Sequence, residues 1–225
     1  MKHISVLTGA GISAESGVKT FRDHDGLWEG HDLMQVATPQ GFENNPKLVL
    51  NFYNQRRKQL KSVKPNPAHE LLVELEKQYK VDIITQNVDD LHERAGSSKV
   101  THLHGELMKA RSVVDESLIY NWTEDIRLGD VNAENHQLRP HVVWFGEAVP
   151  MMEKAIEIIQ NTDIIVIIGT SMQVYPAAGL IDFAPEDTPI YFIDPNPSIS
   201  ESKNINIIEE KATVGVQKLV DELLK

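Results

Sequence analysis

Short apolar runs alternate with helical patterns along most of the chain. Four runs are rich in Val and Ile, and some are apolar throughout, as strands buried on both faces of a parallel sheet are. These runs span residues 3–8, 81–86, 163–170 and 189–194. Two sets of apolar residues recur between them at helical spacing. They are Ala68, Leu71, Leu72, Leu75 and Tyr79, and Val216, Leu219, Val220, Leu223 and Leu224. The alternation predicts an α/β fold with a Rossmann-like parallel sheet.

Two polar and irregular segments, 29–65 and 106–140, interrupt this alternation. We interpret them as insertions that together build a small second lobe within a single domain of residues 1–225. The large lobe is then predicted to consist of residues 1–28, 66–105 and 141–225.

The composition excludes several classes of protein. With 225 residues, of which 41% are hydrophobic, the chain can build one substantial core. The formal net charge is -11 and the basic residues are scattered, so the chain lacks the basic face that direct nucleic-acid binding needs. There is no cysteine, which excludes disulfides and Cys-based zinc sites. Without a signal sequence or an apolar run of membrane length, we expect a cytoplasmic protein with no membrane contact.

The segment TGAGISAESG, residues 8–17, directly follows the first predicted strand. Gly9 and Gly11 place small residues where backbone approaches a pyrophosphate, and a helix that starts near Ser13 directs its N–H groups at the anion. The dinucleotide fingerprint G-x-G-x-x-G is incomplete, because the next glycine is Gly17. A phosphate site and a tight turn without a ligand are both compatible with this segment.

A second polar cluster follows the predicted strand that ends at Gln86. Asn87, Asp89 and His92 come next, at the carboxyl end of a strand, where open parallel sheets bind ligands. The alternative is structural, because Asn87 or Asp89 can cap the next helix.

Two histidines, His102 and His104, stand at i and i+2 in the segment HLHGEL. On a strand they share a face. The sequence offers no third ligand at a fitting spacing for a metal. A role for one of the two as a general base is therefore favoured over a metal site.

Six segments, in this order, resemble the motifs of the sirtuins, which are NAD-dependent protein deacylases. They are GAGISAESGVKTFR, TQNVDDLHERAGS, HLHGEL, PHVVWFGE, GTSMQVYPAAGL and a final acidic and apolar helix. The resemblance covers nearly the whole chain. It implies that the glycine loop binds an NAD whose glycosidic bond is cleaved, rather than an NAD that carries hydride.

The resemblance implies roles for individual residues near the nicotinamide. His104 matches the catalytic histidine of the family, and Asn87 is the second implied catalytic residue. Gln86, Asn87 and Asp89 hold the nicotinamide side, with Asp89 near the carboxamide. His102 does not occupy a catalytic position and is implied to be structural.

The implied NAD site extends over several loops. The loop of residues 9–28 covers the pyrophosphate and the nearby ribose, residues 169–171 pack against ribose and phosphates, and residues 194–196 pack against the adenosine ribose. Ala212 lies beside the adenine. The residues implied to contact NAD are Gly9, Ala10, Gly11, Ile12, Ser13, Glu15, Ser16, Phe21, Arg22, Trp28, Gln86, Asn87, Val88, Asp89, His104, Gly169, Thr170, Ser171, Asp194, Pro195, Asn196 and Ala212.

The segment NFYNQRR carries a Tyr-x-x-Arg pair, Tyr53 and Arg56, that resembles the pair of bacterial sirtuins that remove acidic acyl groups. On a helix the two side chains lie one turn apart on one face. A guanidinium and a phenol there can hold a carboxylate. The alternative is that Arg56 is solvated, like its neighbours Arg57 and Lys58, and that Tyr53 merely packs.

The segment VVWFGE is interpreted as an exposed edge that takes an extended substrate peptide by strand addition. The alternative, a buried strand with Trp144 in the core, remains open for part of it. The predicted substrate-binding residues here are Val142, Val143, Trp144, Phe145, Gly146 and Glu147.

Two departures from the sirtuin pattern stand out. The insertion before PHVVWFGE lacks the two Cys pairs that hold a structural zinc in many sirtuins. We therefore expect no zinc, and a lobe held by packing in which Trp122 replaces the metal. The second departure is Asp194, where relatives often have Asn, which leaves the adenosine-ribose contacts open. The apolar anchors available to the small lobe are Leu118, Ile119, Tyr120, Trp122 and Ile126.

Together these features predict a monomeric NAD-dependent protein-lysine deacylase that acts on acylated-lysine proteins or peptides. Succinyl, malonyl and glutaryl groups are expected to be preferred over acetyl, with nicotinamide, O-acyl-ADP-ribose and free lysine as products. Two alternatives remain open. One is ADP-ribosyl transfer to a protein, and the other is a Rossmann oxidoreductase or a non-catalytic NAD sensor.

Overall fold

A six-stranded parallel sheet forms the centre of the molecule, with strand order β3-β2-β1-β7-β8-β9. The computed structural model describes residues 1–19, 32–200 and 203–225. The strands of this sheet are β1 (His3–Thr8), β2 (Lys80–Thr85), β3 (Val100–His102), β7 (Ile164–Ile168), β8 (Ile190–Ile193) and β9 (Ile205–Ile208). The four predicted strands and the α/β class are confirmed, with ends that differ from the predicted bounds by up to two residues.

Helices cover both faces of this sheet, and a second, smaller sheet is also present. They are α1 (Ala10–Ala14), α2 (Leu33–Val36), α3 (Pro39–Asn44), α4 (Pro46–Ser62), α5 (Pro67–Leu75), α6 (Leu91–Ala95), α7 (Met152–Gln160) and α8 (Ala212–Leu223), with a 3-10 helix at Ala177–Phe183. The second sheet is antiparallel, with order β5-β4-β6. Its strands are β4 (Gly105–Ser112), β5 (Ile119–Asn121) and β6 (Leu138–Val142).

Alternate residues of each central strand feed two separate cores. Ile164, Val166 and Ile168 of β7 pack with α5 and α8 on one face of the sheet. Ile165 and Ile167 pack with α7 and the 3-10 helix on the other. Burial on both faces explains why these strands are continuous apolar runs rather than alternating ones.

Both predicted helical patterns correspond to helices of the large core. Helix α5 begins with a capping box, in which the Asn66 side chain accepts from the Ala68 N–H and His69 Nδ1 accepts from the Asn66 N–H. The helix ends at Leu75, so the predicted extension to Tyr79 was wrong. Tyr79 follows in a turn and donates its hydroxyl hydrogen to the Leu223 carbonyl at the end of α8.

Residues of both predicted insertions pack together. One apolar cluster joins them, with Tyr120 and Trp122 packed against it. Its buried members are Leu50 of α4, Ala110 of β4, Leu138 of β6, and Ile126, which lies in a loop. β4 begins at Gly105 and β6 ends at Val142, so the small sheet reaches slightly past the predicted insertion of 106–140. The division into two lobes with the stated bounds stays a prediction.

The small lobe also has polar anchors that the sequence did not suggest. The side chain of Asn54 donates to the Ile126 carbonyl and accepts from the Ile126 N–H, at 2.9 Å each. Arg57 donates to Leu107 O and Asn54 Oδ1, at 3.0 and 2.7 Å. Arg57 is 1% exposed, so its interpretation as a solvated residue was wrong. Burial lowers the pKa of Arg57 to about 10, which leaves it charged at neutral pH.

Among the predicted apolar anchors, Ile126 is fully buried, whereas Ile119 is 45% exposed. Ile119 was therefore wrongly assigned to the lobe interior. Leu118 contributes a backbone bond, because its carbonyl accepts from the Ser112 N–H. Trp122 packs at the edge of the cluster and donates its indole N–H to the Asp125 carbonyl.

Within the part of the chain that the structure describes, no helix combines the length and the apolarity needed to cross a membrane.

Candidate active site

The predicted cofactor residues follow the carboxyl ends of four neighbouring strands, β1, β2, β7 and β8. Because all strands of the sheet are parallel, these ends lie at one edge. Strand order reverses between β1 and β7, since the chain runs from β1 towards β3 on one side and from β7 towards β9 on the other. Such a switch point is where open α/β sheets leave a crevice for a ligand.

The glycines of the first loop are required by close packing of two backbones. A Cβ at Gly9 would lie 2.7 Å from the Gly169 carbonyl oxygen, and one at Gly11 would lie 2.5 Å from Gly169 Cα. Gly169 itself has a φ of 61°, which favours glycine. The loops after β1 and β7 therefore meet at the switch point, with Ala10 and Ile12 in the short helix α1.

Asn87 and Asp89, which follow β2, bond to the glycine loop. The Asn87 side chain donates to the Gly9 carbonyl at 3.0 Å and to Ser13 Oγ at 3.3 Å. The Ser13 hydroxyl donates to Asp89 Oδ2 at 2.9 Å. Asp89 also accepts from the Leu91 N–H at the start of α6. The N-cap of α6 is Asp90, which makes no side-chain cap bond, so the alternative that named Asn87 or Asp89 as the N-cap was wrong. Asp89 still bonds to the first N–H of α6, whereas Asn87 bonds across to the first loop.

The Asp89 carboxyl is 6% exposed at residue level. Burial raises the pKa of Asp89 above its ordinary value, although the hydrogen bonds from Leu91 and Ser13 oppose the rise. A buried carboxyl of this kind is suited to hydrogen bonding with a neutral polar group of a ligand. An anionic ligand group beside it would be poorly solvated.

His104 is placed as a neutral base. It lies two residues beyond the end of β3, so the prediction that it shares a strand face with His102 was wrong. Its Nδ1 is 3.0 Å from the Gln86 carbonyl oxygen. A carbonyl can only accept, so Nδ1 carries the proton and Nε2 keeps its lone pair. Burial lowers the pKa of His104 below its ordinary value, and the bond to Gln86 opposes this only in part.

His102 faces different partners. Its Nδ1 is 2.9 Å from the Asn87 carbonyl oxygen, and its Nε2 is 2.7 Å from Glu93 Oε1. Ligand atoms of Glu93, His102 and Glu106 lie within 4.8 Å of one another, a proximity that the sequence spacing did not reveal. Glu93 is paired with His102, and Glu106 with Lys109 at 2.6 Å, so each carboxylate already has a partner among the basic side chains.

The remaining predicted cofactor residues surround the same strand ends. Gln86 donates to Thr170 Oγ1 at 3.0 Å, and Asp194 Oδ1 accepts from the Asn196 N–H. Glu15 accepts from the N–H and hydroxyl of Thr213, beside Ala212 at the start of α8. Two further positions bond inside the protein: Ser16 Oγ accepts from Asn66, and the Val88 carbonyl accepts from Leu107. The predicted residues Phe21, Arg22 and Trp28 lie outside the described residues.

Tyr53 lies in α4 and belongs to an apolar cluster with Val142 and Trp144. It is 5% exposed, and its hydroxyl oxygen accepts from Trp144 Nε1 at 2.9 Å. Because that oxygen accepts from the indole, the phenolic hydrogen is directed elsewhere. Burial raises the pKa of Tyr53, so the phenol stays protonated at neutral pH.

Arg56 lies one turn further along α4. Its Nη1 donates to the Phe52 carbonyl at 2.8 Å, and its guanidinium carbon is 3.2 Å from the centroid of the Phe52 ring. Burial lowers the pKa of Arg56 to about 10, and nearby Tyr53 opposes this lowering only in part. The group therefore keeps its positive charge at neutral pH, next to the phenol.

The VVWFGE segment contains only one residue of a strand, Val142, at the end of β6. The structure corrects the prediction of an extended edge over the whole segment, because residues 145–147 form a turn. Trp144 is 2% exposed and Phe145 is 48% exposed. The alternative with Trp144 in the core is therefore right for that residue.

The side chain of Glu147 forms buried ion pairs with two arginines. Its Oε1 accepts from Arg139 Nη1 at 2.6 Å and its Oε2 from Arg111 Nη2 at 2.9 Å, while Oε2 also accepts from the Trp144 N–H at 2.7 Å. The Arg139 guanidinium carbon lies 3.2 Å from the centroid of the Trp144 ring. A substrate contact of Glu147 thus remains a prediction for its backbone alone, since its side chain holds the turn.

Sequence reasoning missed Glu93, Arg111 and Arg139. Arg111 and Arg139 lie opposite each other in β4 and β6, so their convergence on one carboxylate required knowledge of the register. Glu93 lies in α6, nine residues before His102 at the end of β3, and a loop separates the two elements. The one available signal was the position of Glu93 in the same motif as Asn87.

Comparison with known proteins agrees with this geometry. A family model described as the Sir2 family matches residues 9–176. The chain belongs to this family. It is 56% identical to a protein named NAD-dependent protein deacylase from Helicobacter pylori strain 26695, over 100% of this chain and 99% of that protein. A protein of the same name from Bacteroides thetaiotaomicron is 52% identical, again over 100% and 99%.

Solved structures of Sir2 proteins share the fold. One described as a Sir2 homologue–NAD complex has a TM-score of 0.87 and 35% identity, with 99% of this chain and 90% of that chain covered. Another, an ADP-ribose complex of a Sir2 homologue mutant, has a TM-score of 0.89 with 35% identity, covering 99% and 92%. The predicted sirtuin membership is confirmed, and the parallel sheet with its small antiparallel lobe is the Sir2 architecture.

Proposed function

We propose that this sirtuin is an NAD-dependent protein-lysine deacylase. The observation that carries the proposal is the placement of His104, whose Nδ1–H is fixed on the Gln86 carbonyl. Its Nε2 is thereby left as a neutral base at the carboxyl edge of the sheet. The names of the related bacterial proteins and the NAD and ADP-ribose complexes of similar structures support the same activity.

The residues at the switch point fit NAD. Two loops pack tightly enough to bring backbone to the ligand, and a buried Asp89 and an anchored Asn87 stand beside them. We assign the nicotinamide side to Gln86, Asn87 and Asp89, and the remaining ribose and phosphates to the loops after β1, β7 and β8. When bound, NAD supplies an activated glycosidic bond whose cleavage releases nicotinamide.

The protein contributes positioning and one proton transfer. The acyl-lysine amide oxygen is a weak nucleophile, so holding it against the ribose supplies the reactivity that it lacks. His104 Nε2 then accepts the proton of a ribose hydroxyl as that oxygen attacks the acyl carbon. The balance is acyl-lysine, NAD and water giving lysine, nicotinamide and O-acyl-ADP-ribose.

We further propose that acidic acyl groups are preferred, through Tyr53 and Arg56. The phenol oxygen accepts from Trp144, which leaves the phenolic hydrogen to donate to an acyl carboxylate. The guanidinium can add two parallel donors. Tyr53 is buried and Arg56 is partly buried, and a charge-assisted bond gains strength when water is excluded. Succinyl, malonyl and glutaryl groups carry the carboxylate that acetyl lacks.

Peptide binding is proposed at the outer edge of β6, near its carboxyl end. In the order β5-β4-β6 this strand is terminal, but at its start the Leu138 N–H already donates to the Asp130 carbonyl. Pairing with an extended peptide is therefore proposed at the Val142 end of the strand. The exposed Phe145 and the turn at Gly146 flank the same edge. Strand addition accounts for recognition of many acylated proteins, because main-chain bonds carry little sequence preference.

We expect the enzyme to work as a monomer in the cytoplasm, without direct nucleic-acid contact. The net charge of -11 opposes binding to phosphate backbones. Sedimentation at micromolar concentration would test the oligomeric state.

The proposed function is tested by incubation of the protein with NAD and a panel of acetyl-, succinyl-, malonyl- and glutaryl-lysine peptides, followed by mass spectrometry. We expect one nicotinamide released per peptide deacylated, together with O-acyl-ADP-ribose. A protein that gains ADP-ribose while the peptides stay acylated would support ADP-ribosyl transfer instead. Formation of NADH would identify an oxidoreductase, and NAD binding without turnover would identify a sensor.

A further inference from the structure

Asn87 is held in place from three sides. Its N–H donates to Thr85 Oγ1 at 3.0 Å, and its side-chain amide donates to the Gly9 carbonyl at 3.0 Å. Its carbonyl accepts from His102 Nδ1 at 2.9 Å. The last of these bonds comes from an ionisable side chain, so the proton distribution on the His102 ring decides whether it forms.

Both ring nitrogens of His102 face acceptors. Nδ1 faces the Asn87 carbonyl, and Nε2 faces the Glu93 carboxylate at 2.7 Å. A neutral imidazole has only one N–H. Glu93 does not supply the second proton, because its pKa lies below the ordinary value: burial acts to raise it, but the bond and charge of His102 outweigh burial. Both bonds therefore require an imidazolium.

We propose that His102, as an imidazolium held by Glu93, is a positioning residue that keeps Asn87 in its productive orientation. The inference rests on the proposed function, since it concerns how Asn87 is held during deacylation. It also gives the structural His102 of the family motif a defined task. The two histidines of HLHGEL would then act in opposite charge states, His102 protonated and His104 neutral.

The surroundings of His102 favour its charged state. Burial acts to lower the pKa of His102, but the Glu93 carboxylate, the Asn87 carbonyl and Glu106 outweigh it, so the pKa lies above the ordinary value. Asp89 adds a further carboxyl nearby, whereas His92 and Lys109 are the basic groups of the adjoining elements. The nearest of all these groups is Glu93, which makes it the residue to change.

Because His102 must be protonated and His104 neutral, we predict that the enzyme is active within a limited range of pH. Turnover should rise with pH as His104 loses its proton, below the ordinary histidine pKa of about 6.5. It should fall at higher pH as His102 loses its proton. The remaining proton should stay on Nε2, because the bond to the Glu93 carboxylate is the charge-assisted one, so the bond from Nδ1 to the Asn87 carbonyl is the one that is lost. A bell-shaped profile of this kind reports the two groups together.

Two substitutions of His102 separate its two bonds. In His102→Asn the side-chain amide nitrogen takes the place of Nδ1, so the donor to the Asn87 carbonyl is kept. In His102→Gln the amide nitrogen takes the place of Nε2, so the bond to Glu93 is kept and the Asn87 carbonyl loses its donor. We expect His102→Gln to lose about 10- to 100-fold in kcat, the cost of a misplaced reacting group. His102→Asn should stay within about threefold of the wild type and lose the fall at high pH.

Glu93→Gln tests the charge of the carboxylate alone, and it leaves the buried His102 unchanged. It keeps an acceptor for Nε2 but removes the negative charge. The fall at high pH should move to lower pH, while the rise at low pH stays in place. Glu74→Gln is the matched control, because Glu74 is an exposed carboxylate on α5, paired with Lys77. It should leave both limbs unchanged.

Nitrogen NMR of His102 provides a readout that does not need turnover. Both ring nitrogens should show the chemical shift of a protonated imidazole at pH 7 in the wild type. In Glu93→Gln this shift should be lost at a lower pH than in the wild type. A wild type without deacylase activity would defeat the proposed function, yet the NMR titration would still test the charged pair. A neutral His102 at pH 7, or equal kcat for His102→Gln and His102→Asn, would overturn the inference.

Discussion

The cofactor edge of the large sheet and the acyl side of the small lobe are built by different means. At the cofactor edge, Asn87, Asp89 and His104 follow strand ends and bond to nearby backbone. On the acyl side, Tyr53 reaches its position through Trp144, which is fixed by the buried pair of Arg139 and Glu147. The cofactor edge depends on a parallel sheet, whereas the acyl side depends on buried charges.

This difference suggests a division of labour. The cofactor edge holds a neutral base and a buried carboxyl, groups suited to cleaving NAD and moving a proton. The acyl side presents a phenol and a guanidinium, which we propose to bind a carboxylate and to take no part in proton transfer. Changes at the cofactor edge should therefore affect the turnover of every substrate. Changes on the acyl side should affect the choice among substrates.

The largest effect is expected at the cofactor edge. His104→Ala removes the base, and kcat should fall roughly 10²- to 10⁴-fold for all acyl peptides. Fold and NAD binding should be kept, which circular dichroism and NAD titration would check. Undiminished deacylation by a folded His104→Ala protein would remove His104 from the mechanism.

The next largest effect concerns the stability of the acyl side. Glu147→Gln leaves Arg111 and Arg139 without their carboxylate, and Glu147 side-chain exposure is 11%. Loss of one partner from a buried ion pair costs about 3–5 kcal/mol, so the urea midpoint should fall clearly.

Glu124→Gln serves as the control for this change, because Glu124 is an exposed partner of Lys61. Its unfolding midpoint should stay close to that of the wild type. Equal midpoints for Glu147→Gln and Glu124→Gln would show that the buried pair does not hold the small lobe.

A smaller and more selective effect is expected at Arg56. In Arg56→Met the acyl carboxylate loses its guanidinium, and kcat/KM for succinyl-lysine should fall by a factor of roughly 30 to 1,000. Acetyl-lysine should be affected little. Tyr53→Phe should shift the same preference more mildly, since it removes a single donor. Lys61→Met, which removes an exposed charge from the same helix, is the control and should change neither substrate.

No effect is expected from removal of metal. The small lobe is held by the Ile126 cluster and by the bonds of Asn54 and Arg57, and the chain has no thiolate. Chelators should therefore leave activity and melting temperature unchanged, and elemental analysis should find no stoichiometric zinc. One tightly bound zinc per chain would contradict this, with Glu93, His102 and Glu106 as the first place to look.

The two sides of the site also differ in how far the sequence predicted them. The cofactor edge followed from apolar runs and the polar residues after them, since parallel strands bring their ends together whatever the details. The burial of Arg57 and the turn of Glu147 towards Arg111 could not be predicted, because they depend on which residues face each other across β4 and β6. His102 and His104 were expected on one strand face, but the strand ends at His102. The end of a strand is not marked by any periodicity in the sequence.

The ratio of kcat/KM for succinyl-lysine to kcat/KM for acetyl-lysine tests the division of labour most directly. It should be measured with one peptide sequence in the wild type, His104→Ala and Arg56→Met. We expect His104→Ala to lower both constants by the same factor, so that the ratio stays at the wild-type value. Arg56→Met should lower the ratio at least tenfold, consistent with loss of a charge-assisted bond, while acetyl turnover is kept. A ratio that changes in His104→Ala, or one that survives in Arg56→Met, would contradict the account.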